Sequence, residues 1–169
     1  EPNIHIVFKD EEKLNKFDAK LFKTSMVSGF LLDEKNFQNR ISFINGDWWV
    51  QDFSSFLPLH NFNKINKDKV LLDACAAPGG KTILMASLGA QITAFDKSRS
   101  RIERLNENIG RVGFEDRCET HVYNWLENEQ IPSKYGLVVV DAPCSGTGVI
   151  GKHPEISLHR TRQDVTALN

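Results

Sequence analysis

A chain of 169 residues, 40% hydrophobic and 25% charged, has the material for one packed core and the composition of a globular protein rather than a disordered tail. Its net charge of -1 advertises no general grip on polyanions, so any nucleic-acid contact falls to a local basic patch. No apolar run approaches bilayer length, Glu1-Pro2-Asn3 lacks signal-peptide features, and Cys75, Cys118 and Cys144 are spaced for reduced cytoplasmic thiols, not for a disulfide framework or a metal site.

Residues 4–8 (Ile-His-Ile-Val-Phe) are apolar and β-rich and predict a strand. The charged stretch 10–23 repeats Leu14, Phe17, Leu21 and Phe22 at helical spacing, which predicts a helix. Residues 41–51 read as two strands turning at Asn45-Gly46, a favoured hairpin dipeptide. Trp48 and Trp49 lie in that apolar run and are expected in the core rather than stacked on a base. These pieces make a small α+β appendage over residues 1–52, followed by a second domain over 53–169, within which the polar segment 61–69 is a connector.

From Val70 the pattern alternates. Val70–Asp73 predicts a strand, Lys81–Leu88 a helix, and Gln91–Phe95 a second strand ending at Asp96. Ser98 is placed to cap the next helix, whose buried face is Ile102, Leu105 and Ile109. Cys118–Val122 and Leu137–Val140 predict strands three and four. Continuous apolar strands between amphipathic helices imply an α/β fold with a mostly parallel sheet covered on both faces. Ligands of such sheets bind beyond the carboxyl ends of the strands, where Asp73 to Lys81, Asp96, Asn124 and Asp141 to Gly148 gather.

The first of these loops, Asp73-Ala74-Cys75-Ala76-Ala77-Pro78-Gly79-Gly80-Lys81-Thr82, lets a ligand approach the backbone and offers helix N–H groups to an anion. Its spacing matches neither a Walker loop nor the three-glycine dinucleotide fingerprint. Asp96, about twenty residues further on, is placed to accept the hydroxyls of a ribose, and the pair suggests a nucleoside cofactor. The fourth strand leads into Asp141-Ala142-Pro143-Cys144-Ser145-Gly146-Thr147-Gly148, a tight loop that holds Asp141 and Cys144 at the same edge. Lys152 and His153 follow closely enough to favour a thiolate over the free-thiol pKa of about 8.5.

On these two loops the chain resembles the Nop2/Sun family of RNA cytosine-5 methyltransferases, in particular its bacterial Sun (Fmu) branch acting on small-subunit ribosomal RNA. The resemblance runs from Trp48-Trp49-Val50-Gln51-Asp52 to Gly148-Val149-Ile150-Gly151-Lys152-His153-Pro154-Glu155, and only loosely over residues 1–45, where the family carries a small RNA-recognition-like subdomain. It implies a Rossmann-like class I methyltransferase sheet, incomplete in this chain with strands one to four present, behind the N-terminal α+β appendage. It also implies a cytoplasmic monomer that binds S-adenosyl-L-methionine and RNA, ribosomal rather than transfer, without metal or membrane. Cys75, Ala76, Ala77, Pro78, Gly79, Gly80 and Lys81 would wrap the methionine part of the cofactor, Asp96 the ribose, and Asp141 would lie close to it while facing the base. Asn124 stands where the family has an aspartate touching adenine; an amide keeps the acceptor and loses the charge.

Cytosine C5 is a poor nucleophile, so the family first adds a thiolate to C6, an instance of covalent catalysis. The attacking cysteine lies in a Thr-Cys-Ser motif absent from these residues. Cys144 matches the second cysteine, which assists product release, and Asp141 the acid at the ring nitrogen. The expectation is therefore a truncated piece that binds cofactor without methylating RNA. Lys152, His153, Arg160 and Arg162 form the expected RNA contact, whereas Lys97, Arg99, Arg101, Arg104 and Arg111, mixed with Glu103 and Glu107, read as a solvated helix face. An amino-directed methyltransferase, a non-catalytic binding module and a nucleotide-binding oxidoreductase are the competing readings. Cys144 stands where amino-directed enzymes carry an aromatic residue, which favours carbon chemistry.

Overall fold

The computed structural model describes residues 3–32, 36–60, 70–127, 134–144, 146, 150, 155–159 and 161–166. Two units divide at Val140, with Asn3–Val140 in one and Asp141–Asn169 in the other.

The larger unit begins with β1 (Ile4–Phe8), buried from His5 onward. Asp10 then caps α1 (Glu11–Asn15), its Oδ1 accepting the Lys13 N–H at 2.9 Å. The helix expected to run to residue 23 stops there. Leu21 and Phe22 instead enter β2 (Leu21–Lys23), opposite Leu31 and Phe30 of β3 (Ser28–Leu31), a strand the sequence pattern did not predict. Gly29 explains the outcome: the space a Cβ would fill there holds Leu21, whose Cγ is 2.7 Å from that position. Strand pairing and this fit outweigh helical spacing.

The expected hairpin at Asn45-Gly46 is also corrected. Residues 41–44 form a short helix, α2 (Ile41–Ile44), and only β4 (Trp48–Val50) is a strand. Asn45 is the helix C-cap, and Gly46, with φ of 74°, takes the left-handed position after it. The Gly46 N–H reaches Phe43 O at 3.0 Å and the Asp47 N–H reaches Ser42 O at 2.9 Å, the paired bonds of a Schellman motif. An Asn-Gly pair satisfies this helix stop as readily as a hairpin. The four strands form an antiparallel sheet in the order β2-β3-β1-β4. Trp48 and Trp49 are both buried, as expected.

Asp52 accepts the Ser54 N–H at 2.8 Å at the head of α3 (Phe53–His60), which buries Phe56 and Leu59. The connector 61–69 lies outside the described residues. The second sheet holds β5 (Val70–Asp73), β6 (Gln91–Asp96), β7 (Cys118–Val122) and β8 (Leu137–Val139), all parallel, in the order β7-β6-β5-β8. The chain steps outward from β5 to β7 and then crosses to the other side of β5. This creates a topological switch point between β5 and β8, where ligands of open parallel sheets bind.

Helices α4 (Gly80–Ser87) and α5 (Arg99–Val112) carry the buried residues Ile83, Leu84, Ile102, Leu105 and Ile109 into one core with Leu71, Ile92, Phe56 and Leu59. Leu72 and Phe95, on the opposite face of the sheet, pack with Tyr123, Trp125 and Tyr135. The central strands are thus covered on both faces, while the outer strands are partly open; Val138 of β8 is 46% exposed.

The two sheets share their interior. Val7 and Trp49 join the core that contains α3, α4 and α5. At the end of α5, Lys9 Nζ donates to Val112 O at 2.7 Å, capping the helix with a cation. Arg111 Nη1 donates to Phe43 O at 2.7 Å and Trp48 O at 3.1 Å, and its guanidinium lies 3.9 Å from the Phe43 ring centre. Arg111 and Arg101 therefore depart from the expected solvated face: both are partly buried and bonded to backbone carbonyls.

In the smaller unit, α6 (Ile156–His159) and α7 (Arg162–Thr166) are short. Thr161 and Asp164 make a reciprocal cap at α7, with the Thr161 N–H on Asp164 Oδ2 at 2.7 Å and the Asp164 N–H on Thr161 Oγ1 at 3.3 Å. Among the described residues no helix is long and apolar enough to cross a membrane.

Candidate cofactor site

The glycine loop after β5 is tied down from both sides. The Ala74 N–H donates to Val139 O and the Ala76 N–H to Phe95 O, each at 2.9 Å, which extends the ladders of β8 and β6 into the loop. Trp125 Nε1 donates to Ala74 O at 2.7 Å. Below it, Asp73 is 1% exposed and its Oδ2 accepts the Thr82 hydroxyl at 2.7 Å, locking strand end to helix start. The Ala77–Pro78 peptide is cis.

Gly79 must be glycine on two counts. Its φ of 114° is rarely open to other residues, and a Cβ there would lie 2.6 Å from Leu105 Cδ1. Gly80 opens α4, and a Cβ on it would rest 3.5 Å from Gln51 Cγ. Gln51 is 6% exposed, with Oε1 accepting the Trp49 indole N–H at 3.0 Å. The antiparallel sheet thus supplies the floor beneath the start of α4.

Asp96 ends β6 at 2% exposure. Its Oδ1 accepts the Ser98 N–H at 3.1 Å, and its Oδ2 is 3.2 Å from Arg101 Nη1 in an ion pair. The pair is not aligned as a hydrogen bond, so Oδ2 retains its capacity to accept one. Ser98 occupies the N-cap of α5 by backbone conformation alone; its hydroxyl pairs with Ser100 Oγ at 3.1 Å rather than with a helix N–H. Asn124, two residues beyond β7, accepts the Leu126 N–H on Oδ1 at 3.1 Å, which fixes the amide in a turn.

Cys75, Ala76, Ala77, Pro78, Gly79, Gly80, Lys81, Asp96 and Asn124 therefore lie at the carboxyl ends of three neighbouring strands, along one edge. The donor set fits a nucleoside bearing a zwitterionic tail: a buried carboxylate with accepting capacity for hydroxyls, and a small-residue loop opening a helix for a carboxylate group. Asp141 and Cys144 belong to the other unit, where both are exposed. Arg162 is exposed at the start of α7, while Lys152, His153 and Arg160 lie outside the described residues. The expected help of Lys152 and His153 to a thiolate lies outside them too. Burial pushes the Cys118 thiol up to about 11, which marks it as a structural sulfur. Among the described residues no group of three metal-ligating side chains occurs.

Sequence reasoning missed Arg101, Asn108, Trp125 and Gln51. Arg101 joins Ala77 O as well as Asp96, and Asn108 Nδ2 donates to Pro78 O at 3.0 Å. The only signal was spacing: positions 101 and 108 are two turns apart on one side of a helix. A separate cavity of about 390 Å³ on the antiparallel sheet, lined by Lys13, Lys16, Phe17, Arg40 and Trp48, holds none of the expected site residues. Its cations face Asp47, Glu12 and Asp18 as ion pairs, which leaves little net attraction for an anion.

Known proteins resemble this chain in sequence and fold. The family model described as 16S rRNA methyltransferase RsmB/F matches residues 61–169. Ribosomal RNA small subunit methyltransferase B of Photorhabdus laumondii is 39% identical over 125 residues, 70% of this chain and 28% of that protein. Ribosomal RNA small subunit methyltransferase F of Pectobacterium carotovorum is 33% identical over 135 residues, 77% of this chain and 28% of that protein. The chain thus spans between a quarter and a third of the length of these curated relatives. The crystal structure of NSun6 from Pyrococcus horikoshii with SFG superposes with a TM-score of 0.67 at 28% identity, over 78% of this chain and 34% of that one. A methyltransferase homologue from Pyrococcus horikoshii gives a TM-score of 0.75 at 24% identity, over 97% of this chain and 55% of that one, a likeness of fold. The architecture is a Rossmann-like class I methyltransferase fold with an N-terminal α+β extension.

Proposed function

The chain belongs to the 16S rRNA methyltransferase RsmB/F family, and on that premise we propose that it forms the cofactor-binding part of an enzyme that methylates C5 of a cytosine in small-subunit ribosomal RNA. The observation that carries this reading is the buried Asp96 carboxylate, with an oxygen still able to accept a hydrogen bond, on the same sheet edge as the glycine loop.

S-adenosyl-L-methionine supplies an electrophilic methyl group when bound. In the proposed site, residues Cys75 to Lys81 receive its amino-acid part, and Asp96 accepts the ribose hydroxyls. Asn124 is assigned to the adenine amino group, which an amide oxygen can accept. A buried acceptor discriminates strongly for a hydroxylated partner, because a ligand lacking the hydroxyls would leave it unpaired.

The reaction we infer begins with a thiolate adding to C6 of cytosine, which moves electron density onto C5. C5 takes the methyl group, a base removes the C5 proton, and the electron pair of that C–H bond reforms the double bond as the thiolate leaves. The attacking thiolate comes from outside these 169 residues, which contain no Thr-Cys-Ser sequence. Asp141 is assigned to the ring nitrogen, where it stabilises charge as C6 is attacked, and Cys144 to the breakdown of the adduct. Lys152, His153, Arg160 and Arg162 would hold phosphates of the RNA strand that presents the base. A base in a duplex must leave its stack to reach such a site. Three cysteines outside any disulfide suit a reducing, cytoplasmic setting.

Transfer of a labelled methyl group from S-adenosylmethionine to small-subunit ribosomal RNA tests the assignment. The full natural chain is expected to label cytosine C5, and the 169-residue piece alone to label nothing. In the full chain, Cys144→Ala is expected to accumulate a covalent protein–RNA adduct. Labelling by the piece alone contradicts the need for an outside thiolate, and turnover by the variant without adduct contradicts the role of Cys144.

A further inference from the structure

Three turns of α5 touch three consecutive residues of the glycine loop. Arg101 donates to Ala77 O, Leu105 fills the space beside Gly79, and Asn108 Nδ2 donates to Pro78 O at 3.0 Å. The spacing 101, 105, 108 is one stripe of a helix. The same helix buries Ile102, Leu105, Ile109 and Val112 in the core, so the stripe is held on a rigid support. Arg101 also pairs with Asp96 Oδ2 at 3.2 Å and is the side chain that touches both halves of the proposed cofactor site.

Backbone geometry gives these contacts a consequence. In a trans peptide the C=O and the following N–H point in opposite directions. Holding Pro78 O against Asn108 therefore turns the Gly79 N–H away from α5, toward the other side of the loop. A guanidinium fork can hold a carboxylate and a carbonyl together, whereas a lysine ammonium on a flexible stem acts as a single point of charge.

We propose that Arg101 and Asn108 are positioning residues for the cofactor. Asn108 sets the orientation of the loop that receives the amino-acid tail, and Arg101 fixes that loop relative to the ribose-binding Asp96. The proposal rests on the cofactor reading of the site and adds a division of labour between two residues that reading did not use.

Two ligands separate the roles: S-adenosylhomocysteine, and 5′-methylthioadenosine, which keeps the nucleoside and lacks the amino-acid tail. Their affinities are measured by competition on the full natural chain and its variants, with thermal unfolding of each ligand-free variant as the folding control. Asn108→Ala is expected to weaken S-adenosylhomocysteine about fivefold and 5′-methylthioadenosine less than about twofold. Arg101→Gln is expected to weaken both by about tenfold or more. Arg101→Lys should recover the affinity for 5′-methylthioadenosine but not that for S-adenosylhomocysteine, because one ammonium can keep Asp96 and not Ala77 O as well. A general loss of stability would move both ligands alike and would not separate them. Equal weakening of both ligands by Asn108→Ala, or unchanged binding in Arg101→Gln, overturns the proposal. Failure of the unsubstituted chain to bind either ligand overturns the cofactor reading instead.

Discussion

Gly79 shows how a single residue shapes this site. Its positive φ lets the loop turn into α4, and its missing side chain lets Leu105 press against the backbone. At the same scale the cysteines separate by environment. Cys144 is exposed, whereas burial raises the Cys118 thiol to about 11. A thiol whose folded pKa is raised contributes stability that is fully present below its unfolded value and lost as pH climbs through the folded one. For Cys118 that window runs from about 9 to about 11. Thermal unfolding followed across it should show an alkaline decline that Cys118→Ala flattens; an identical decline in the variant would assign the loss to other groups.

Among the elements, the join between the sheets depends on the end of α5. Arg111 replaces water with two carbonyls and the Phe43 ring, and Gly46 comes so close that a Cβ would sit 1.9 Å from Arg111 O. Arg111→Ala removes one donor from each carbonyl, although Phe43 O keeps the Gly46 N–H, and should cost about 2 kcal/mol of stability. Hydrogen exchange should then rise first in α2 and β4; no change in either stability or exchange would show that hydrophobic contact alone holds the sheets together. The strands β5, β6 and β8 were legible because short apolar runs end in polar residues at glycine or helix-start signals. The stretch 10–23 was not, since its helical spacing also fits a strand whose partner, Ser28–Leu31, lay hidden behind Gly29. Asn45-Gly46 was ambiguous for a different reason: a left-handed glycine serves helix stops and hairpins equally. The loop and Asp96 stood out in the sequence as a candidate site, whereas Arg101 and Asn108 did not. Only the packing of α5 on the loop distinguishes them from ordinary surface polar residues.

At the scale of the molecule, the parallel sheet offers its switch point while the antiparallel sheet supports it from below through Gln51, Trp49 and Val7. On the proposed reading this arrangement makes the unit Asn3–Val140 the receptor for a nucleoside cofactor, with the glycine loop and Asp96 held in place by the contacts described above. Isothermal titration with S-adenosylhomocysteine and, separately, with NAD is the most direct test of that claim. A site of this kind predicts saturable one-site binding of S-adenosylhomocysteine that Asp96→Ala weakens by about tenfold or more, with no comparable heat from NAD. Preference for NAD, or S-adenosylhomocysteine binding indifferent to Asp96, would contradict it.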